Sequence, residues 1–136
     1  MQFFMPMIPP TVTHQEKKTT VNKMTGKVIY YEPAQLKNAR AKLTAALHPH
    51  RPAEPMDGAI YLQTAWVFPA DDKHPPKTWK TSKPDTDNLQ KMLKDIMTEL
   101  GFWKDDALVC CEHISKTYGD VPGVMIEIHE IWSDGI

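Results

Sequence analysis

Between residues 85 and 101 apolar side chains recur at helical spacing. Leu89, Met92, Leu93, Ile96, Met97 and Leu100 follow an i, i+3, i+4, i+7 pattern and Gly101 supplies a stop, which predicts a helix over 87–100. The same periodicity in Leu36, Ala39, Leu43, Ala46 and Leu47, opened by Pro33 and closed by Pro49, predicts a helix over 34–47. Residues 59–68 alternate instead, with Ile60, Leu62, Trp66 and Phe68 on one face, the pattern of a core strand. Gln2 to Ile8 reads as a short strand confined to a sheet edge by Pro6, which has no amide proton to give a neighbour on both sides. Strands are also expected at Val28–Tyr31, Leu108–Tyr118 and Val124–Trp132, the last two joined as a hairpin by a turn over Asp120–Gly123. Pro9–Lys27 reads as a mobile polar loop, and Pro69–Pro84 as a long loop of turn formers and lysines, a length more often functional than not.

The order ββαβαββ predicts an α+β fold in which one mixed sheet carries two main helices packed together on one face, a single domain over 1–136. Apolar residues make up 41% and charged residues 24% of the chain, an ordinary globular balance, and no apolar run approaches the roughly 18 residues a membrane span needs. Met1 to Pro10 lacks a basic leader and is interrupted by three prolines, so it does not read as a secretory signal. The only cysteines, Cys110 and Cys111, are neighbours that point to opposite faces of a strand, which disfavours a disulfide. Both observations lead to the expectation of a cytoplasmic protein. The net charge of -1 conceals an asymmetry: residues 1–98 hold fourteen Lys and Arg against nine Asp and Glu, whereas 99–136 hold two against eight.

Candidate chemistry concentrates where the long loop meets the second helix. Asp85 and Asp87 stand two residues apart at the helix start, and Asp87, Lys91 and Asp95 share one stripe opposite the apolar face. Helix capping accounts for one aspartate, at about 1 kcal/mol, and the stripe by itself suits a solvated ion-pair series. Lys104-Asp105-Asp106 follows the Gly101 stop closely and opens the next strand, so the chain doubles back. If these carboxylates converge they form a hard oxygen site suited to Mg²⁺, with Mn²⁺ a possible substitute, and Lys91 would add positive charge at a phosphate. Lys73, Lys77, Lys80 and Lys83, with no acid among residues 73–83, would form a phosphate-gripping rim, and the arm bearing Lys17 and Lys18 is a further DNA-contact candidate.

The run Lys83-Pro84-Asp85-x-Asp87-Asn88-Leu89-x-Lys91-x3-Asp95, followed by Asp105-Asp106-x2-Val109, resembles the signature of RusA-type Holliday junction resolvases over about 27 contiguous residues. The resemblance implies a homodimeric, Mg²⁺-dependent endonuclease that cuts four-way DNA junctions. It implies Asp85, Asp87 and Asp106 as metal-binding catalytic carboxylates and Lys91 as the catalytic lysine, with Asp105 and Asp95 at acidic positions of less defined role. The chain departs from many relatives in lacking an Arg-rich segment after the first strand, where it has Thr11 to Lys18. Relatives also place aromatic side chains at the junction centre; here Trp79 is the nearest aromatic before Asp85 and the stacking candidate. Two other readings stand beside this one: a non-cleaving branched-DNA-binding module, and a metal nuclease acting on flaps or other branched DNA.

Other clusters read as structural. Asp71-Asp72 suits a solvated turn. Residues 85–96 begin like a calcium loop but carry Gln90 at the sixth position and Ile96 at the twelfth, where Gly and Glu belong. Cys111 and His113 would meet His129 across the expected hairpin, without the four paired ligands of a structural zinc site. His48 and His50 complement a helix end, and the Lys37, Arg40, Lys42 helix face reads as solvated.

Overall fold

The computed structural model describes residues 1–13, 18–31 and 34–131. Its elements are β1 (Gln2–Pro6), β2 (Lys18–Val21), β3 (Val28–Tyr31), α1 (Ala34–Leu47), β4 (Ile60–Pro69), α2 (Thr86–Glu99), β5 (Val109–Gly119) and β6 (Gly123–Glu130), with short 3-10 turns at His48–His50 and Asp106–Leu108. The α+β class, the mixed sheet and the two helices agree with the reading of the periodicities. Trp132 lies outside the described residues.

The main sheet has the order β1-β6-β4-β5. Its centre is β4, whose alternation places Ile60, Leu62, Thr64, Trp66 and Phe68 on the buried face. On that face lie Leu36, Leu43 and Leu47 of α1 and Leu89, Met92, Leu93, Ile96 and Met97 of α2, all in one apolar cluster. No described helix or strand covers the opposite face of the sheet, which carries Tyr61, Gln63, Met125, Glu127 and His129. As Pro6 required, β1 sits at the margin, antiparallel to β6.

The expected hairpin between the last two strands does not form. β5 pairs with β4 in parallel and β6 pairs with β4 antiparallel, so β4 lies between them. Two physical reasons account for this. β4, α2 and β5 make a βαβ unit, in which the helix returns the chain to the starting edge and a parallel strand follows. The three residues 120–122 then have only to cross one strand, about 9–10 Å at the usual ~4.8 Å spacing, which an extended link at ~3.4 Å per residue spans easily. Gly123 permits the close approach that results, since a Cβ there would collide with the Phe4 ring and the Met5 carbonyl. Cys111 and His129 consequently do not face each other directly. Tyr61 stands opposite both, its ring stacked on His129 at 5.0 Å and tilted against His113 at 5.9 Å.

The segment read as a loop over 9–27 also contains a strand. β2 pairs antiparallel with β3 from Lys18↔Tyr31 to Val21↔Val28, a two-stranded sheet separate from the main one, which adds a strand to the expected order. The β-branched run Thr19-Thr20-Val21 favours it, and the lysines around it obscured the signal.

Helix α2 ends as its sequence dictates. Gly101 adopts φ +81, Phe102 N–H donates to the Met97 carbonyl at 3.0 Å and Gly101 N–H to Thr98 at 3.1 Å, the paired bonds of a Schellman motif. The turn buries Phe102 and Trp103, and Trp103 Nε1 donates to Thr98 Oγ1 at 2.7 Å. The chain is thereby reversed towards Asp105 and Asp106.

Candidate active site

A cavity of about 350 Å³ lies between α2, the Asp106 turn and β5. It is lined by Asp87, Gln90, Lys91, Lys94, Asp95, Asp106, Glu112 and Ile114. The structure thus brings Asp87, Lys91, Asp95 and Asp106 to one place, as the helix stripe and chain reversal suggested. Asp85 and Asp105 belong to the same two segments but are not among its lining residues.

Asp85 occupies the N-cap of α2 in extended conformation, and its carboxylate makes no cap hydrogen bond. Its backbone carbonyl instead accepts from Leu89 N–H at 3.1 Å. Capping therefore does not explain this aspartate. Asp105 differs: its Oδ1 accepts from Ala107 N–H at 2.8 Å and caps the Asp106–Leu108 turn, which aims Asp106 and leaves Asp105 with one oxygen free of that bond. Asp87, Asp106 and Lys91 are exposed, and the ion-pair series along the α2 stripe is absent, since Lys91 bridges neither Asp87 nor Asp95 among the described residues. An acid-lined cavity with an uncommitted ammonium at its side is set up for an anionic substrate accompanied by a cation.

Four residues of this neighbourhood escaped the sequence reading. Glu112 reaches the cavity from the helix-facing side of β5, and Lys94 binds it at 2.6 Å, tying α2 to the edge strand. Gln90 is buried, its Oε1 accepting from Thr64 Oγ1 at 2.8 Å while its Nε2 has no hydrogen-bond partner. Lys116 Nζ donates to the carbonyls of Ser82 and Pro84, both at 2.8 Å, and so fastens the approach to Asp85 onto β5. The available signal was the alternation of Glu112, Ile114, Lys116 and Tyr118 on one strand face, which reads equally well as a solvated edge.

The lysine-rich loop is bonded along the outer edge of β5. Lys77 N–H donates to the Tyr118 carbonyl, Tyr118 N–H to Thr78 and Lys80 N–H to Lys116, at 2.9–3.1 Å. Its lysines are not equivalent. The Lys80 ammonium donates to Ser82 Oγ at 2.8 Å and lies 4.9 Å above the Phe68 ring and 5.3 Å above the Tyr118 ring. Lys73, Lys77 and Lys83 are exposed. Trp79 is bridged through its backbone to Thr117 yet keeps its side chain 72% exposed, a rigidly mounted aromatic surface. Lys17 lies outside the described residues, as does the side chain of Lys18.

The remaining candidates behave structurally. Asp71 Oδ1 accepts from His74 N–H at 2.7 Å, Lys73 N–H at 3.0 Å and the His74 ring at 2.9 Å. Partial desolvation raises the Asp71 pKa, but the hydrogen bonds and the His74 charge outweigh it and hold the carboxyl below its usual range. His50 stacks on Phe3 at 4.0 Å. Tyr61 has a raised pKa, first from desolvation and then from the charges of Glu127 and Cys111.

The carboxylates lining the cavity are Asp87, Asp95, Asp106 and Glu112, of which Glu112 is engaged by Lys94, while Asp85 and Asp105 stand on the adjoining segments. The donor set fits Mg²⁺ or Mn²⁺ in kind, being all carboxylate with no Cys or His in the cavity lining. As placed, no three acidic, His or Cys side chains among the described residues stand close enough to hold an ion jointly.

An acid-lined cavity beside a lysine-rich edge suits an anionic substrate that brings a cation with it. The family model for endodeoxyribonuclease RusA matches residues 7–129. The chain belongs to the RusA family of endodeoxyribonucleases. It is 31% identical over 121 residues, 88% of this chain and 90% of the relative, to a protein of Lactococcus phage r1t called crossover junction endodeoxyribonuclease rusA. It is 30% identical over 117 residues, 78% of this chain and 82% of the relative, to the uncharacterized protein YqaN of Bacillus subtilis strain 168. No described helix is long and apolar enough to cross a membrane.

Proposed function

We propose that this endodeoxyribonuclease resolves four-way DNA junctions as a homodimer, with Mg²⁺ as its cofactor, by paired nicks in opposed strands. The observation that carries the reading is the convergence of Asp87, Asp106 and an unpaired Lys91 on one cavity. The crossover-junction activity in the name of the phage relative supplies the substrate class. A two-fold symmetric dimer presents two equivalent cavities to a substrate that is itself two-fold symmetric.

In this reading Asp87 and Asp106 are the principal ligands, with Asp85 at the helix start and the free oxygen of Asp105 completing the set. When bound, Mg²⁺ would supply positive charge at the scissile phosphate and make the attacking water more acidic. Lys91 places its ammonium where charge develops on the phosphate oxygens. The Lys94–Glu112 pair holds the cavity walls together, and Lys116 keeps the loop before Asp85 in register with β5. Lys73, Lys77 and Lys83 grip phosphates around the cavity, and Trp79 offers a face for a base. The segment of Lys17 and Lys18 adds further phosphate contacts, and Lys80 contributes charge from its inward position.

The test is a substrate panel of four-way junction, flap and linear duplex, each with Mg²⁺ or with chelator. Paired, Mg²⁺-dependent nicks in the four-way junction, with slower cutting of the other substrates, are expected. Equal or faster cutting of flaps would reassign the substrate, and junction binding without cleavage in any metal would overturn the enzymatic role.

A further inference from the structure

Among the described residues the most exposed large apolar side chain is Met24, at 96%. It stands in the turn between β2 and β3, flanked by the exposed Lys23 and Lys27. The turn is internally bonded. Asn22 Oδ1 accepts from Met24 N–H at 2.9 Å and Thr25 N–H at 3.3 Å, Gly26 N–H donates to the Asn22 carbonyl at 2.8 Å, and Asn22 N–H donates to Lys27 at 2.9 Å. Gly26 supplies the left-handed step with φ +70. The tip therefore keeps its shape without help from a neighbour.

Behind it Val21 and Val28 face each other across the ribbon, 57% and 54% exposed. Among the described residues no helix or strand of the main body packs extensively on this hairpin. An isolated two-stranded ribbon is marginal in water, and an uncovered valine pair beneath an uncovered methionine calls for a partner surface. The chemistry of that partner follows from charge. Residues 18–31 contain Lys18, Lys23 and Lys27 and no acidic residue. A polyanion with an apolar surface between its charges meets both requirements, and DNA has phosphates flanking base faces. A two-stranded ribbon also matches the width of the major groove.

We propose that the β2–β3 hairpin is a DNA-docking arm, in which Met24 wedges against bases at the branch point while Lys23 and Lys27 neutralise the phosphates on either side. The proposal rests on the branched-DNA reading above. Apolar side chains inserted at base steps unstack them, and a branch point, where stacking is already interrupted, costs least to open. The arm is distinct from the cavity residues and from Trp79, so it contributes substrate recognition rather than chemistry.

The experiment is a fluorescence titration of four-way junctions carrying 2-aminopurine either at the branch point or within an arm. It is run in chelator, with native protein, Met24→Ser and the double variant Lys23→Gln/Lys27→Gln, and cleavage with Mg²⁺ is measured in parallel. Native protein is expected to raise emission severalfold at the branch point and little in the arm. Met24→Ser loses most of that rise and binds the junction about tenfold more weakly at an unchanged melting temperature, as expected for an exposed residue. The double variant lowers the slope of log affinity against log salt by about two. Native-size emission with Met24→Ser, in a protein that still cuts junctions, overturns the wedge alone. Met24→Ser emission that stays native while dimerisation weakens in sedimentation assigns the arm to a second copy of the chain, and also overturns it. A native protein that neither binds nor cuts branched DNA overturns the branched-DNA reading and the arm with it.

Discussion

The segments 70–84 and 18–31 are alike in sequence, both rich in lysine and turn formers, and unlike in structure. The first is bonded along β5, with Lys80 folded onto the Phe68 and Tyr118 rings and Lys116 reaching out to hold the Ser82 and Pro84 carbonyls. The second is bonded within itself and leaves Val21, Met24 and Val28 in solvent. Lysines in the first segment are therefore divided between fastening the scaffold and facing solvent, whereas Lys23 and Lys27 of the described turn in the second both face solvent. A basic run in a sequence does not reveal this division, because it depends on what lies beneath each side chain.

The largest effect expected from this difference is at Lys116. Lys116→Met leaves two carbonyls near the cavity without their charged donor, which costs about 2 kcal/mol in chemical denaturation. It also frees the approach to Asp85, so junction cleavage should fall at least about tenfold while junction affinity changes little, since positioning errors are costly to catalysis. A melt and a rate both at native values would show that the loop is held by its backbone bonds alone.

Next comes Lys80. Removing its hydrogen bond and its cation–π contacts in Lys80→Ala should cost about 1 kcal/mol of stability. The salt dependence of DNA binding should change less than it does for Lys77→Ala. That third variant reverses the balance: its melting temperature stays native and the slope of log affinity against log salt falls by about one. If Lys80→Ala changed the salt slope and Lys77→Ala the melt, the two roles would be interchanged.

The smallest effect belongs to the Asp71 turn. Its carboxyl is held below the usual value by the His74 and Lys73 hydrogen bonds, so its contribution is present above the ordinary carboxylate pKa and is lost as pH falls through the lowered one. Amide exchange at His74, whose N–H donates to Asp71, should accelerate relative to the core only in that acidic window. Exchange already fast at neutral pH would show that the Asp71 carboxylate does not protect this amide.

The elements were legible wherever one face is buried and the other solvated. The α2 stripe from Leu89 to Leu100 and the β4 alternation from Ile60 to Phe68 each announce their period, and burial on the helix-covered side enforces it. Strand partners were not legible, because the short link after Gly119 permits either a hairpin or a crossing over β4, and only the βαβ unit decides. The same limit applies to the site. Asp87, Lys91 and Asp95 shared a stripe in the sequence, and Asp106 joined them through the turn that Gly101 begins. Glu112 and Lys116 were hidden because their meaning depends on β5 lying beside α2, a long-range pairing that no local pattern records.

The most direct test of the cavity as the cutting centre is single-turnover cleavage of a four-way junction with Mg²⁺ by Asp87→Asn, at protein concentrations that saturate binding. A rate at least about a hundredfold below native with junction affinity retained is expected, the scale of loss when a group acting on the developing charge is removed. Cleavage by Asp87→Asn at the native rate would contradict it and place the chemistry elsewhere on the molecule.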